Sequence, residues 1–206
     1  MLQVYSKFLL AFALVVSMCS SAHAVTVYSE SVNGDLSNDG LNPTVITVGV
    51  GSNVITGTTG GATAPNTRDY FTLVIPFNIE LISLIEMAGT QAGNVGFLGL
   101  QSGPQVTLPI NAATANGLLG WIHYAPTAAD IDILPSMGVA LNGASDFIPP
   151  LGPGTYSFWL QDSSPGTFQY SFNLILAVPE PSSTVLMMSG LLGLWPFLRR
   201  RLNGHR

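Results

Sequence analysis

Asp35, Ser37 and Asp39 alternate along the chain and are followed by Gly40. Alternate oxygen-bearing side chains ahead of a glycine are how a loop turns several ligands toward one hard cation. Calcium is such a cation, taking roughly six to eight oxygens. The match covers only the start of a calcium loop, because the twelfth position, where a bidentate glutamate would close the shell, is Ile46. Asp69, at the head of an alternating apolar run, is the carboxylate that a folded sheet could add. Asp35, Ser37, Asp39 and Asp69 are therefore the candidate Ca2+ ligands. The competing reading is an Asx-turn, in which Asp35 and Asn38 cap nearby backbone amides.

A second candidate is Trp159. In the alternation of residues 155–162 it lies opposite the core-facing side chains, beside Ser157 and Gln161. An exposed indole flanked by polar groups can stack on a sugar ring, making Trp159 a candidate glycan contact. Packing beneath a loop or a second layer is the alternative.

Other chemistry finds little support. Of the three histidines, only His123 lies outside the two chain ends. A Ser-His-Asp hydrolase needs a histidine base, and no G-x-S-x-G elbow accompanies this one. His123 reads as a strand residue on a sheet face, and a lone histidine cannot make a histidine-rich zinc site. Gly49-x-Gly51 lacks the helix and the Gly-Lys-Ser/Thr end of a phosphate loop. No carboxylate pair stands out for glycoside hydrolysis. The single cysteine, Cys19, falls in the leader, so the working domain is expected to have no disulfide and no thiol nucleophile.

The elements that must position these residues follow from composition. Charged residues make up 8% of the chain while Gly (22) and Pro (14) punctuate short apolar runs, as in an all-β exported protein. Between Val25 and Val178 the one cation, Arg68, faces ten acids, a net charge near −9. That surface repels phosphate backbones, so no nucleic acid is expected as a partner.

Period-2 alternation gives about ten short strands and no convincing amphipathic helix. Val25 to Val32 reads as a first strand. Residues 45–50 and 53–58 read as a hairpin around Gly51-Ser52. Tyr70 to Phe77 places Phe71, Leu73, Ile75 and Phe77 on one face, and Ile79 to Met87 follows. Residues 95–100 and 105–110 read as shorter strands, and 118–126 as extended chain. Residues 127–150 are hard to assign. Residues 154–162 and 167–178 read as a last hairpin with a shared aromatic core face. The fold class is all-β, a single β-sandwich, jelly-roll-like or Ig-like, over residues 25–177.

Both ends of the chain read as addressing. Residues 1–24 have the layout of a signal peptide helix: Lys7, an apolar core from Phe8 to Met18, and Ala22-His23-Ala24 as the small-x-small site for signal peptidase. Residues 178–206 begin with Pro179, Glu180 and Pro181. A short apolar run follows, with Val185, Leu186, Leu191, Leu192, Leu194, Trp195 and Leu198, and then the Arg199, Arg200, Arg201 cluster. As a transmembrane helix the run would span only about 24 Å at ~1.5 Å per residue, short of the ~30 Å hydrocarbon layer. Pro196 weakens it further as a permanent anchor. The arginines would stay cytoplasmic and leave the domain on the far side.

A leader, a β-rich domain and a terminal V-PEP-S/T box, apolar run and arginine cluster together resemble the PEP-CTERM family of exported bacterial proteins. The matching residues are Val178 to Ser183, the apolar stretch through Leu198, and Arg199 to Arg201. The resemblance implies recognition by an exosortase, which cuts near the Pro-Glu-Pro box. It also implies a Gram-negative host that makes exopolysaccharide, export across the inner membrane, and only transient anchoring there before the cell surface or medium is reached. More loosely, GDLSND (34–39), DYFTLVIP (69–76), LQSG (100–103) and LGPGTYSFWLQ (151–161) resemble bacterial pre-peptidase C-terminal β-sandwich domains, which implies an accessory module without catalytic residues. The expectation is a non-enzymatic surface or matrix protein associated with exopolysaccharide or biofilm. A calcium- or glycan-binding module is the alternative, and a secreted hydrolase stands third.

Overall fold

A computed structural model describes residues 24–60, 68–93, 96–139 and 141–179. Its strands are β1 (Val25–Ser29), β2 (Thr44–Val45), β3 (Gly51–Thr59), β4 (Arg68–Ile75), β5 (Glu80–Glu86), β6 (Gly96–Ser102), β7 (Gly120–Tyr124), β8 (Ile131–Asp132), β9 (Gly154–Gln161) and β10 (Phe168–Ala177). Two single-turn helices, α1 (Glu30–Asn33) and α2 (Leu134–Met137), complete the regular structure among the described residues. The strands form two five-stranded sheets, ordered β1-β3-β10-β5-β8 and β2-β4-β9-β6-β7. Pairing is antiparallel except at the β1–β3 and β2–β4 edges, which are parallel.

Alternation makes this a sandwich. Tyr170, Phe172, Leu174 and Leu176 of β10 point inward from the first sheet. Phe71, Leu73 and Ile75 of β4, with Phe158 and Leu160 of β9, point inward from the second. Phe71 and Phe158 are direct cross-strand partners, and their rings stack at 4.7 Å and 8°. Such a pair adds about 1 kcal/mol beyond area burial.

Part of the outer face of the second sheet is also covered. Residues 103–119 fold back over it, burying Val106 against Tyr70 and Trp159, and Leu118 against Ala115 and Ala144. The backbone N–H of Val106 donates to Gly40 O at 2.8 Å. The expected strand over 105–110 is therefore a loop whose apolar residues cap a sheet face.

Four further expectations are corrected. Residues 45–50 and 53–58 form no hairpin: Thr44–Val45 pairs with β4 in one sheet while Gly51–Thr59 belongs to the other. The chain crosses between sheets at 46–50, where Asn53 Oδ1 accepts from Gly49 N (2.8 Å) and Asn53 Nδ2 donates to Gly49 O (2.7 Å). Likewise, β9 and β10 are not a hairpin but face each other across the core, one in each sheet. The first strand stops at Ser29, and α1 follows. Phe77 leaves the alternating face and is 83% exposed, because β4 ends before Pro76 and the chain turns at Asn78 with φ 62°.

Candidate functional site

A carboxylate cluster forms where the two sheets meet at one end of the sandwich. Glu30 opens α1, directly after β1 of the first sheet. Asp69 is the second residue of β4 in the second sheet and shares the inward face of Phe71. Asp35 lies in the loop between α1 and β2. Backbone pairing sets that loop in place: Ser37 bridges to Tyr70, whose N–H donates to Ser37 O at 2.8 Å, and Thr44 pairs with Phe71. Leu36, 1% exposed, anchors the same loop in the core. Each of Glu30, Asp35 and Asp69 places a carboxylate oxygen within 4.8 Å of the others.

Partners inside the cluster are unevenly shared. Glu30 Oε2 accepts from Thr58 N (2.8 Å) and Thr58 Oγ1 (3.2 Å). Glu30 Oε1 accepts from Leu36 N and from the Tyr170 hydroxyl, both at 3.3 Å. Gly57 makes room for this, since a Cβ there would lie 2.6 Å from Glu30 Cδ and collide with the Tyr170 hydroxyl. Asp69 is 1% exposed, and its Oδ2 is buried without a hydrogen-bond partner. A buried carboxylate oxygen left unpaired is costly.

The electrostatics follow from that burial. Desolvation chiefly, then the neighbouring Glu30 charge, push the Asp69 carboxyl up to about 8, against a smaller opposing pull from Tyr170. Burial also raises Glu30, while the Thr58 and Leu36 amides pull it the other way. Tyr170 is raised well above its ordinary value by burial and by the Asp69 and Glu30 charges. These groups fit a hard divalent cation. It would neutralise the repulsion that burial amplifies and would occupy the unpaired oxygen, with three carboxylates already within one coordination sphere.

Two expected ligands are engaged elsewhere. Asp39 Oδ1 accepts from Leu41 N at 2.9 Å and Oδ2 from Asn42 Nδ2 at 2.6 Å, an Asx-turn. The Asn42 side chain and the Leu41 amide hold its carboxyl below the usual range. Ser37 Oγ accepts from Asp39 N at 3.1 Å and lies 3.3 Å from Asp39 O. The turn thus claims Ser37 and Asp39, and the cluster gathers Asp35 and Asp69. Glu30 is the member that sequence reasoning missed. Alternation places it in an extended first strand, although Asn33-Gly34 is a turn dipeptide that signals an earlier end to that strand.

Trp159 is not the exposed platform expected of a glycan contact. It is 5% exposed, stacked on Tyr70 at 5.8 Å and met edge-on by Phe97 at 4.8 Å, under Val106 and Leu108. His123 is exposed on β7, with Nδ1 3.2 Å from Gly96 O. Ala24 and Pro179 are exposed and flank β1 and β10. Ala22, Glu180, Pro181, the apolar run from Val185 to Leu198 and Arg199 to Arg201 lie outside the described residues. Among the described residues no helix is long and apolar enough to cross a membrane.

No protein-family model matches the chain. No curated protein matches it either. Among solved structures it is similar to the pre-peptidase C-terminal domain of a collagenase from Bacillus anthracis, at 11% identity and a TM-score of 0.32, covering 65% of this chain and 94% of that one.

Proposed function

We propose that this chain is an exported, non-enzymatic β-sandwich module that holds one calcium ion between Glu30, Asp35 and Asp69. The observation that carries the reading is the Asp69 carboxylate: 1% exposed, one oxygen unpaired, and two further carboxylates within 4.8 Å. Glu30 is half-buried and Asp35 exposed, so the cluster has an open side through which an ion can enter. Water molecules complete the shell from that side.

A role without catalysis is supported by the same geometry. Asp69 has a carboxyl poised to hold a proton near neutrality, the property of a general acid. Its burial, however, keeps any substrate bond out of reach. Delivery to the surface or matrix through exosortase, in association with exopolysaccharide, rests on the leader and on the Pro-Glu-Pro tail.

Thermal melting in calcium and in chelator, beside calorimetric titration with calcium, tests the reading. One ion per chain should bind and raise the melting temperature by several degrees, since a ligand at about 100 times its Kd adds about 2.7 kcal/mol. Asp35→Asn and Asp69→Asn should each abolish that rise. Asp39→Asn and Ser37→Ala should keep it, because their oxygens serve the turn. Identical melting with and without calcium in the parent protein would retire the proposal.

A further inference from the structure

On the far side of β4 and β9 from the carboxylates, the outer face of the second sheet carries a cleft of about 360 Å³. Its floor is sheet and its wall is the 108–118 segment. Phe97, Trp121 and His123 lie on adjacent strands, with Phe97 paired to His123 and Gly99 to Trp121. Gly99 leaves the space in which the Phe97 ring lies, since a Cβ there would come 2.9 Å from that ring. Phe97 and Trp121 stack at 5.8 Å and 26°, and His123 meets Trp121 edge-on at 5.1 Å. Both Phe97 and Trp121 remain partly exposed. The Trp121 indole is fixed by donating from Nε1 to Leu141 O at 3.0 Å.

Around these rings the cleft presents Thr114, Asn142, Gln161 and Ser163, hydroxyls and amides with no carboxylate, lysine or arginine among the lining residues. That absence is notable in a domain of net charge near −9. Beneath the floor, Trp159 Nε1 and Gln161 Oε1 are buried without a hydrogen-bond partner.

We propose that this cleft binds a neutral saccharide, with Trp121 and Phe97 as the stacking surface. A pyranose ring offers an apolar C–H face to an aromatic plane, and hydroxyls that both donate and accept suit a rim of amides and hydroxyls. Charge decides the class: a surface this acidic disfavours a uronate or sulfated polymer, and the lining offers no cation to hold one. The site is independent of the calcium proposal, since its lining shares no residue with the carboxylate cluster.

Affinity electrophoresis of the exported protein through gels containing dextran, mixed-linkage β-glucan or galactomannan tests this, with polygalacturonate as the acidic comparison. At least one neutral polymer should slow migration, equally in calcium and in chelator. Trp121→Ala should weaken the interaction at least 10-fold. Ala112→Arg, at an exposed position in the cleft wall, should weaken it several-fold and decides the matter should Trp121→Ala fail to fold. Asp35→Asn should leave it unchanged, so that failure of the calcium reading and of this one are separable. The proposal is overturned by free migration in all three neutral gels, by equal or stronger retardation on polygalacturonate, or by unaltered binding in Ala112→Arg.

Discussion

Glu30 follows β1 of the first sheet and Asp69 lies on β4 of the second, yet their carboxylates stand within 4.8 Å, with Asp69 sealed from solvent. After burial itself, the Glu30 charge raises the proton affinity of Asp69, and the Asp35 charge adds to the rise at Glu30. Stability at this end of the sandwich is consequently tied to pH and, on the proposed reading, to calcium.

In chelator, the folded chain should lose stability as pH rises. Folded Asp69 keeps its proton up to about 8, whereas an unfolded aspartate releases it near ~3.9. Between those values the folded state binds more protons, so unfolding free energy declines from about pH 4 to about pH 8 and then levels off, a loss on the order of a few kcal/mol. Asp69→Asn should flatten that slope and melt higher than the parent at pH 8 in chelator. Saturating calcium should remove the Asp69 part of that slope in the parent. Denaturant melts across this range, with and without calcium, provide the check.

Gly57→Ala should act on both partners of the cluster at once. The added Cβ meets Glu30 Cδ at 2.6 Å and the Tyr170 hydroxyl, so the carboxylate must rotate away from Asp69 or the Tyr170 ring must leave the core. A cost of about 2 kcal/mol is expected from such overpacking. Calcium affinity should fall about 10-fold, the equivalent of about 1.4 kcal/mol. Calorimetric titration beside denaturant melts would separate the two effects. Unchanged affinity would mean that Glu30 does not contact the ion.

Residue alternation exposed most of the fold, because an inward face repeats every second residue whatever sheet the strand joins. That is why Phe158, Leu160, Phe172 and Leu174 were recognisable as core, and also why β9 and β10 were misjoined. Period 2 says which face is buried and nothing about the hydrogen-bonded neighbour. The error over 105–110 has a similar origin, since Val106 and Leu108 alternate whether they join a ladder or cap one. For the site, Asp35 and Asp69 were legible as oxygens near turns and strand heads. Glu30 was not, because its role depends on α1 turning the chain and on Gly57 lying opposite. Trp159 was correctly placed on the outer face, but the loop that covers it starts 56 residues earlier, at Gly103, and leaves no mark in the local pattern.

Glu86 should produce a second, separate pH effect. It lies on the inward face of β5, with Oε1 buried and unpaired, and burial pushes its carboxyl up to about 6. Folded Glu86 therefore retains a proton that the unfolded chain releases near ~4.3, and stability falls as pH rises through that window. Glu86→Gln keeps the shape and removes the charge. The variant should melt above the parent at pH 8 and no higher at pH 4, in calcium and chelator alike. A calcium-dependent difference would instead link Glu86 to the carboxylate cluster.

Processing of the C-terminal stretch gives the last test, on the reading that it is a sorting handle. The final ladder partner of β10 is Ala177, opposite Glu80, and Val178 and Pro179 beyond it are exposed. A cut between residues 178 and 183 would leave all of the β10 pairing in place and remove the Pro196-containing apolar run and Arg199 to Arg201. The remaining domain would then set Arg68 against ten acids, a net charge near −9, where the cut precedes Glu180, and against eleven, near −10, where it follows. Intact-mass measurement of the exported protein should place its N-terminus at Val25 and its C-terminus within 178–183. Its melting temperature should match that of a chain ended at Ser183. Recovery of exported protein that still carries Arg206 would refute the sorting proposal and favour a retained anchor, while leaving the carboxylate cluster and the aromatic cleft as they stand.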